Sequence, residues 1–510
     1  MWLEALLGLC LLGAAVVFLA PDRVAPKLAF VWSLLPLGVS LELFRRFDGE
    51  GNVLLADAQP AFEHRIEWIA LEPYTISWWV GVDGISMPLL VLSTVLTTLA
   101  IVSAWTPIEE RQSQFYGLLL FLEAALIGVF ISLDFFQWFI FWEGVLIPMY
   151  LLIAVWGGPR RKYAAIKFFI YTNVASLAMF IAVIALVFGL GDSVTSFGLP
   201  EIAQALIADE LGDLGAIGAD TLRVAAFIVI FAGFAVKVPT VPVHTWLPDA
   251  HVEAPTPVSV LLAGVLLKMG TYALLRFNFT MLEDVARTLA IPIAIIAIIS
   301  VIYGALLALA QSDLKRIVAY SSISSMGYVI LGLIAFTAYG ISGATFQMIS
   351  HGLISGLMFM VVGVIYNQTH TRMLADMSGL ADRMPVAVGV FVAGAFAYMG
   401  LPLMSGFAAE FMIFLGSFES TVIPAAPLVT GVAMFGIVVV AGYLLWAMQQ
   451  TMFGPFHLAE TEDLQLSPLH DLAPLFVLLG LIVLLGVQPS IVVEMIDDAV
   501  QPMLALGGEM

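Results

Sequence analysis

The sequence predicts an all-α polytopic membrane protein with about 14 transmembrane helices. Its 510 residues are 61% hydrophobic and only 11% charged, with a mean hydropathy of +1.03, far more apolar than a soluble domain. Apolar runs of about 20 residues, the length that spans a bilayer, begin near residues 2, 28, 83, 115, 135, 163, 222, 256, 286, 316, 341, 386, 425 and 472. Inside these runs stand a few isolated charges. At a bilayer centre each costs at least about 2.5 to 3.5 kcal/mol, so they must face one another or a wet interior.

The elements follow in order. The first run has neither a basic leading segment nor an A-x-A site, so it reads as a retained helix and not as a signal peptide. It holds Cys10, the single cysteine. One cysteine excludes intramolecular disulfides, a cysteine-ligated iron–sulfur cluster and a cysteine-rich zinc site in this chain, so electron carriers belong to partners. A net charge of −19 leaves no basic patch for phosphate, so nucleic acid is excluded as a partner. Run four carries Glu123, run five Glu143, run seven Lys237 and run eight Lys268; His351 stands in run eleven and Glu410 in run twelve.

Two runs are interrupted. The seventh reads Lys237-Val-Pro239-Thr-Val-Pro242 and then His244, Trp246 and Pro248, and prolines at this density remove backbone donors and break a helix. The twelfth holds Gly400-Leu-Pro402 and Ser405-Gly406. Backbone freed at membrane depth survives only against protein or a wet cavity. Breaks five helices apart are what an inverted repeat of helices four to eight and nine to thirteen gives, as in transport proteins. The expected divisions are 1–110 (helices one to three with an outer loop), 111–280 (first repeat), 281–455 (second repeat) and 456–510 (helix fourteen).

Lys and Arg in loops set orientation. Ten fall on one side: Arg23, Lys27, Arg111, Arg160, Arg161, Lys162, Lys315, Arg316, Arg372 and Arg383. Six fall on the other: Arg45, Arg46, Arg65, Arg223, Arg276 and Arg287. Both termini are therefore expected on the outer, periplasmic face of a bacterial inner membrane, with lipid around the bundle.

Each embedded charge has a functional and a structural reading. Glu143, about 12 Å into its helix, and Lys237 are expected at similar depth, as an ion pair that sets the lysine's proton affinity or as a bridge stitching two helices. Lys268 has no acidic residue within a turn, and an ammonium buried without a partner can load and release a proton; the alternative is snorkelling to the surface. Glu410 follows the break in run twelve, as a proton carrier or a packing carboxylate, and Glu123 is similar with a thinner context. His351 is a relay near neutral pH or a hydrogen-bonded structural histidine. His244 and His251 flank Trp246-Leu-Pro248-Asp249 without the i, i+4 spacing of a helical metal site. Asp313-Leu-Lys315-Arg316 reads as a solvated loop. The serines 321, 322, 324 and 325 either bind water or pack small against a neighbour. No phosphate-loop spacing or Ser-His-Asp set appears.

At FWEGVLIPMY, FAVKVPTVPVHTWLPDAHVEAPTPVSVLLAGVLLKMGTYALLR, SDLKRIVAYSSISSMGY and GLPLMSGFAAEFMIF the chain resembles the antiporter-like membrane subunits of respiratory complex I, over essentially its whole length. The resemblance implies fourteen helices, two inverted five-helix repeats, broken helices seven and twelve, and one proton channel. It matches Glu143 and Lys237 to the paired acid and base of helices five and seven. It also matches Lys268 to the central lysine of helix eight, His351 to the hydrophilic axis and Glu410 to the ionisable residue of helix twelve. L- and N-type relatives and Mrp subunits usually have lysine where Glu410 stands, and L-type chains carry a long lateral helix after helix fourteen. Glu410 and the end at Met510 both point to the M-type branch.

The expected function is proton translocation driven by quinone reduction elsewhere, with FMN, iron–sulfur clusters and quinone in partner subunits and L- and N-type subunits as neighbours. No cofactor and no metal is expected in this chain. Two other classes compete: an Mrp-type or hydrogenase-linked cation/proton antiporter, whose sodium sites want carboxylates and carbonyls rather than lysines, and a non-conducting membrane scaffold.

Overall fold

A computed structural model describes all residues except 57, 459–463, 465–466 and 507–510; the chain end at Met510 thus lies outside the described residues. Among these, thirteen helices are long and apolar enough to cross a membrane. They are Trp2–Leu19, Ala25–Arg45, Ser86–Ser103, Gln112–Ile131, Phe135–Trp156, Arg161–Ser193, Ala219–Lys237, Thr256–Met281, Ala290–Leu309, Leu314–Ile334, Ala338–Thr369, Ala426–Thr451 and Leu469–Val487. Between the eleventh and the last two stand the shorter apolar helices Pro385–Tyr398 and Ser405–Phe418, the two halves of a broken helix. Counting that pair as one gives the fourteen expected, numbered one to fourteen below.

Local chemistry fixes where several of them start. Asp134 caps helix five by accepting from Phe136 N (2.9 Å) and Gln137 N (3.4 Å), which satisfies orphan first-turn donors, and it also takes Ser77 N of the Tyr74–Val82 strand (2.8 Å). Asp313 caps helix ten through Lys315 N (2.9 Å) and Arg316 N (3.1 Å). Helix five itself is interrupted between Gly144 and Leu146. Pro148 has no N–H for the Gly144 carbonyl four residues back, and its ring crowds that carbonyl.

Both expected breaks are present. Helix seven stops at Lys237 and resumes as Trp246–Glu253. The Val236 carbonyl freed by the break accepts from Trp246 Nε1 (2.8 Å), and Val241 N donates to Ser300 Oγ (3.1 Å), so the polar backbone there is satisfied inside protein. Helix twelve stops at Tyr398 and resumes at Ser405, where the two serine hydroxyls Ser350 and Ser405 meet at 2.8 Å. Helices eight and eleven are buried throughout their apolar windows, whereas helices two, thirteen and fourteen show most of their surface outward. The centre of the bundle is thus the helix pair that carries Lys268 and His351.

Four features differ from expectation. The 45–82 segment is no plain loop: Ala61–Leu71 and Tyr74–Val82 form an antiparallel hairpin. A further helix, Ser490–Leu506, follows helix fourteen. Lys315 is buried rather than solvated, because the first turn of helix ten docks on the end of helix seven and its ammonium donates to Ala254 O (2.5 Å). Arg276 is no loop residue; it is buried within helix eight, where it pairs with Asp83, so it leaves the loop count behind the orientation.

Candidate functional site

Glu143 is the last residue but one of the first segment of helix five, beside the interruption before Pro148. Its Oε2 accepts from Asn173 Nδ2 of helix six (3.1 Å), while Oε1 is buried without a partner. Lys237 is buried at the last turn before the break. Its Nζ donates to Trp142 O (3.3 Å) and stands 3.7 Å from the centre of the Trp142 indole. A desolvated cation over an indole face is worth about 2 kcal/mol. The expected ion pair is therefore open. Lys237 is held by the carbonyl and ring of the residue next to Glu143, and Glu143 is held by Asn173.

Helix eight is not a regular α-helix. It widens to π geometry over Leu262–Leu266 and Leu274–Met281, with an α segment, Leu267–Ala273, between them. Such widened turns recur at functional sites because they release carbonyls from the i→i−4 ladder. Here Lys268 Nζ donates to Ala263 O of the first π segment (2.6 Å) and lies 2.6 Å from His351 Nδ1 of helix eleven. Two glycines bring the helices this close: a Cβ on Gly352 would stand 2.8 Å from Gly264 O. When Lys268 donates, Nδ1 accepts and the ring proton sits on Nε2, which has no partner in the protein. Lys268, which the sequence leaves without a partner, has one from a distant helix.

Beyond His351, the Tyr398 ring lies edge-on at 5.8 Å between centroids, at the end of the first half of helix twelve. Glu410 is buried in the second half, with Oε2 unpaired in the protein. Gly400 in the break has φ +65°, and a Cβ there would stand 2.7 Å from Glu410 Oε2, so the backbone passes directly against the carboxylate.

The other sequence candidates lie outside this row. Glu123 is fully buried with both oxygens unpaired in the protein. His244 packs against Tyr303 (6.0 Å). His251 is buried, stacked on Phe359 at 4.4 Å, with neither ring nitrogen paired. Pro239 and Pro242 fill the turn between the halves of helix seven, and Pro402 the turn in helix twelve. Among the described residues no group of three His, Cys, Asp or Glu could hold a metal ion.

Sequence reasoning missed Trp142, Asn173 and the ion pair between Lys167 and Asp249 (2.8 Å), which ties helix six to the second half of helix seven. Asn173, a polar residue inside an apolar run, was a visible signal; the position of the Trp142 ring was not.

A polytopic bundle with two broken helices and a buried row of acid and base side chains defines an ion-translocating membrane subunit. The family described as "NADH:quinone oxidoreductase/Mrp antiporter, TM" matches residues 132–436, and "NADH-ubiquinone oxidoreductase chain 4, amino terminus" matches residues 68–129. NAD(P)H-quinone oxidoreductase chain 4 of Trichormus variabilis is 38% identical over 516 residues, covering 97% of this chain and 90% of the relative. NADH-quinone oxidoreductase subunit M of Rhodobacter capsulatus is 40% identical over 492 residues, covering 94% and 90%. A chain of respiratory complex I from Thermus thermophilus superposes with TM-score 0.85 at 26% identity, covering 99% of both chains. A chain of the Mrp complex from Dietzia shares the fold, with TM-score 0.82 at 19% identity. The chain belongs to the family of NADH:quinone oxidoreductase and Mrp antiporter membrane subunits, in its subunit M, or chain 4, branch.

Proposed function

We propose that this chain is a proton-translocating membrane subunit of an NADH:quinone oxidoreductase, in which the redox chemistry belongs to other subunits and this chain moves protons. The observation that carries the reading is the Lys268–His351 contact of 2.6 Å. Two nitrogen bases this close share a proton, and they do so where the two most enclosed helices cross. In this reading a proton reaches Lys268, passes to His351 and leaves through Glu410. Closing the open Glu143–Lys237 gap would draw the ammonium off the Trp142 ring, and opening it again would change the charge felt by the next lysine.

The remaining expectations join this proposal. FMN, iron–sulfur clusters and quinone sit in partner subunits, and L- and N-type subunits flank this one. The chain lies in a bacterial inner membrane with its termini outside, and its broken helices are equivalent members of two inverted repeats. Glu143→Gln in the assembled complex tests the core of it. Substrate-driven proton uptake and quinone reduction are expected to fall together, and unimpaired rates of both would overturn the role given to the pair.

A further inference from the structure

Trp142, the residue before Glu143, is buried and locked in position from three sides. Its Nε1 donates to Ser176 Oγ of helix six (2.9 Å), its ring stacks on Trp138 at 4.8 Å between centroids, and the Phe234 ring of helix seven meets it edge-on at 5.3 Å. Over this ring stands the Lys237 ammonium, 3.7 Å from the ring centre and 3.3 Å from the Trp142 carbonyl oxygen. Ser176 follows Asn173 by one turn on the same face of helix six, and Asn173 is the residue that holds the Glu143 carboxylate (3.1 Å). Helix six reaches both because it packs closely on helix seven at Gly233, where a Cβ would stand 2.8 Å from Met179 Cβ.

One face of helix six thus fixes both places between which the lysine chooses. An embedded ammonium seeks a carboxylate, so a pair that stands open needs a competing seat. An indole face attracts a cation through its ring quadrupole, most strongly where water is excluded, and the carbonyl beside it accepts one of the three ammonium N–H bonds. A seat of this kind biases a two-position equilibrium by about thirtyfold. It carries no net charge and takes up no proton, so it holds Lys237 without neutralising it. An indole buried only for packing needs a partner for its N–H, which Ser176 supplies, but it needs no cation on its face.

We propose that the Trp142 indole is the resting seat of the Lys237 ammonium, that it holds the Glu143–Lys237 pair open by competing with the carboxylate, and that Ser176 keeps the ring in place for this. The inference rests on the proton-translocating reading above and adds the group that sets how readily its pair opens. Trp142 and Ser176 are positioning residues, since they act through Lys237. Removing the seat leaves Glu143 as the stronger partner, so the pair stays closed and each cycle waits longer for it to open.

The test uses the assembled complex in membrane vesicles, with the rate of NADH-driven proton pumping as the readout. Trp142→Leu is expected to slow pumping about tenfold and Ser176→Ala about threefold. The decisive series places mono-, di- and trifluorinated tryptophan at position 142 alone. Fluorine draws charge off the ring face and weakens its hold on a cation, while the ring scarcely changes size and its N–H becomes a better donor to Ser176. Pumping is expected to fall stepwise along the series, which a packing role does not produce. The same series at Trp32 of helix two is the control. Its Nε1 donates to Leu9 O (2.8 Å), and among the described residues no cation stands over its ring, so wild-type pumping is expected throughout. One constant rate along the Trp142 series, with Lys237→Ala inactive, would overturn the seat and leave the translocation reading standing. An equal stepwise fall along the Trp32 series would also overturn it. Wild-type pumping in Lys237→Ala would remove the role given to the pair, and the seat with it.

Discussion

Two single residues carry sharp expectations. Gly400 at φ +65° occupies a backbone region that costs an L side chain about 1 to 2 kcal/mol, and a Cβ would also press on the Glu410 carboxylate at 2.7 Å. Gly400→Ala is expected to lower the thermal stability of the complex modestly and to cut pumping much more, because it displaces the carboxylate rather than removing it. Pumping measured per assembled complex separates the two effects, and an unchanged rate would show that the position of Glu410 is unimportant. Lys268→Arg asks a different question. An arginine keeps a positive charge against His351 and Ala263 O but does not give up its proton. If Lys268 works by loading and releasing a proton, Lys268→Arg is as inactive as Lys268→Ala. If only a fixed charge is needed there, Lys268→Arg retains most of the pumping.

At the scale of elements, the crossing of helices eight and eleven depends on Gly264 and Gly352, and Gly352→Val is expected to force the helices apart. Overpacking of this kind costs about 1 to 3 kcal/mol. Because Lys268 and His351 meet at that crossing, pumping should be lost even where the complex still assembles on native gels; wild-type pumping would mean that the contact is dispensable. The crossing also marks how far the sequence could be read. Helix number and both breaks were legible, since length and proline or glycine placement act locally. The hairpin was obscured because its strands lie in a segment between two strong apolar runs, although Tyr74–Val82 is rich in β-branched and aromatic residues. The Lys268–His351 contact and the burial of Lys315 depend on which distant helix each residue docks against, which spacing along the chain does not encode. The same holds for Lys237: the indole that takes up its ammonium is a matter of side-chain packing.

At the scale of the molecule, one buried cluster joins segments far apart in the chain. Asp83, between the second strand and helix three, binds Arg276 Nη2 of helix eight (2.5 Å) and accepts from Val53 N (3.1 Å) and Ser86 N (3.0 Å). Arg276 Nη1 donates to Asn52 Oδ1 (2.9 Å), and Asn52 Nδ2 donates to Ala499 O (3.3 Å) in the last helix. Burial pushes the Asp83 carboxyl up, but the Arg276 charge and the backbone donors outweigh it and hold the group below its ordinary value of 3.8. A depressed carboxylate contributes stability above its unfolded value and loses it as pH falls through the folded one. Arg276→Met removes the cation and leaves the carboxylate buried, which costs about 3 to 5 kcal/mol. Burial alone then favours protonation of Asp83, so acid relieves the variant while it weakens the wild type. Thermal unfolding of the complex followed from neutral to acidic pH should therefore show the two midpoints converging, and Asp83→Leu combined with Arg276→Met should recover much of the loss at neutral pH. A gap between Arg276→Met and wild type that stays constant with pH would mean that Arg276 stabilises through packing and not through its charge on Asp83.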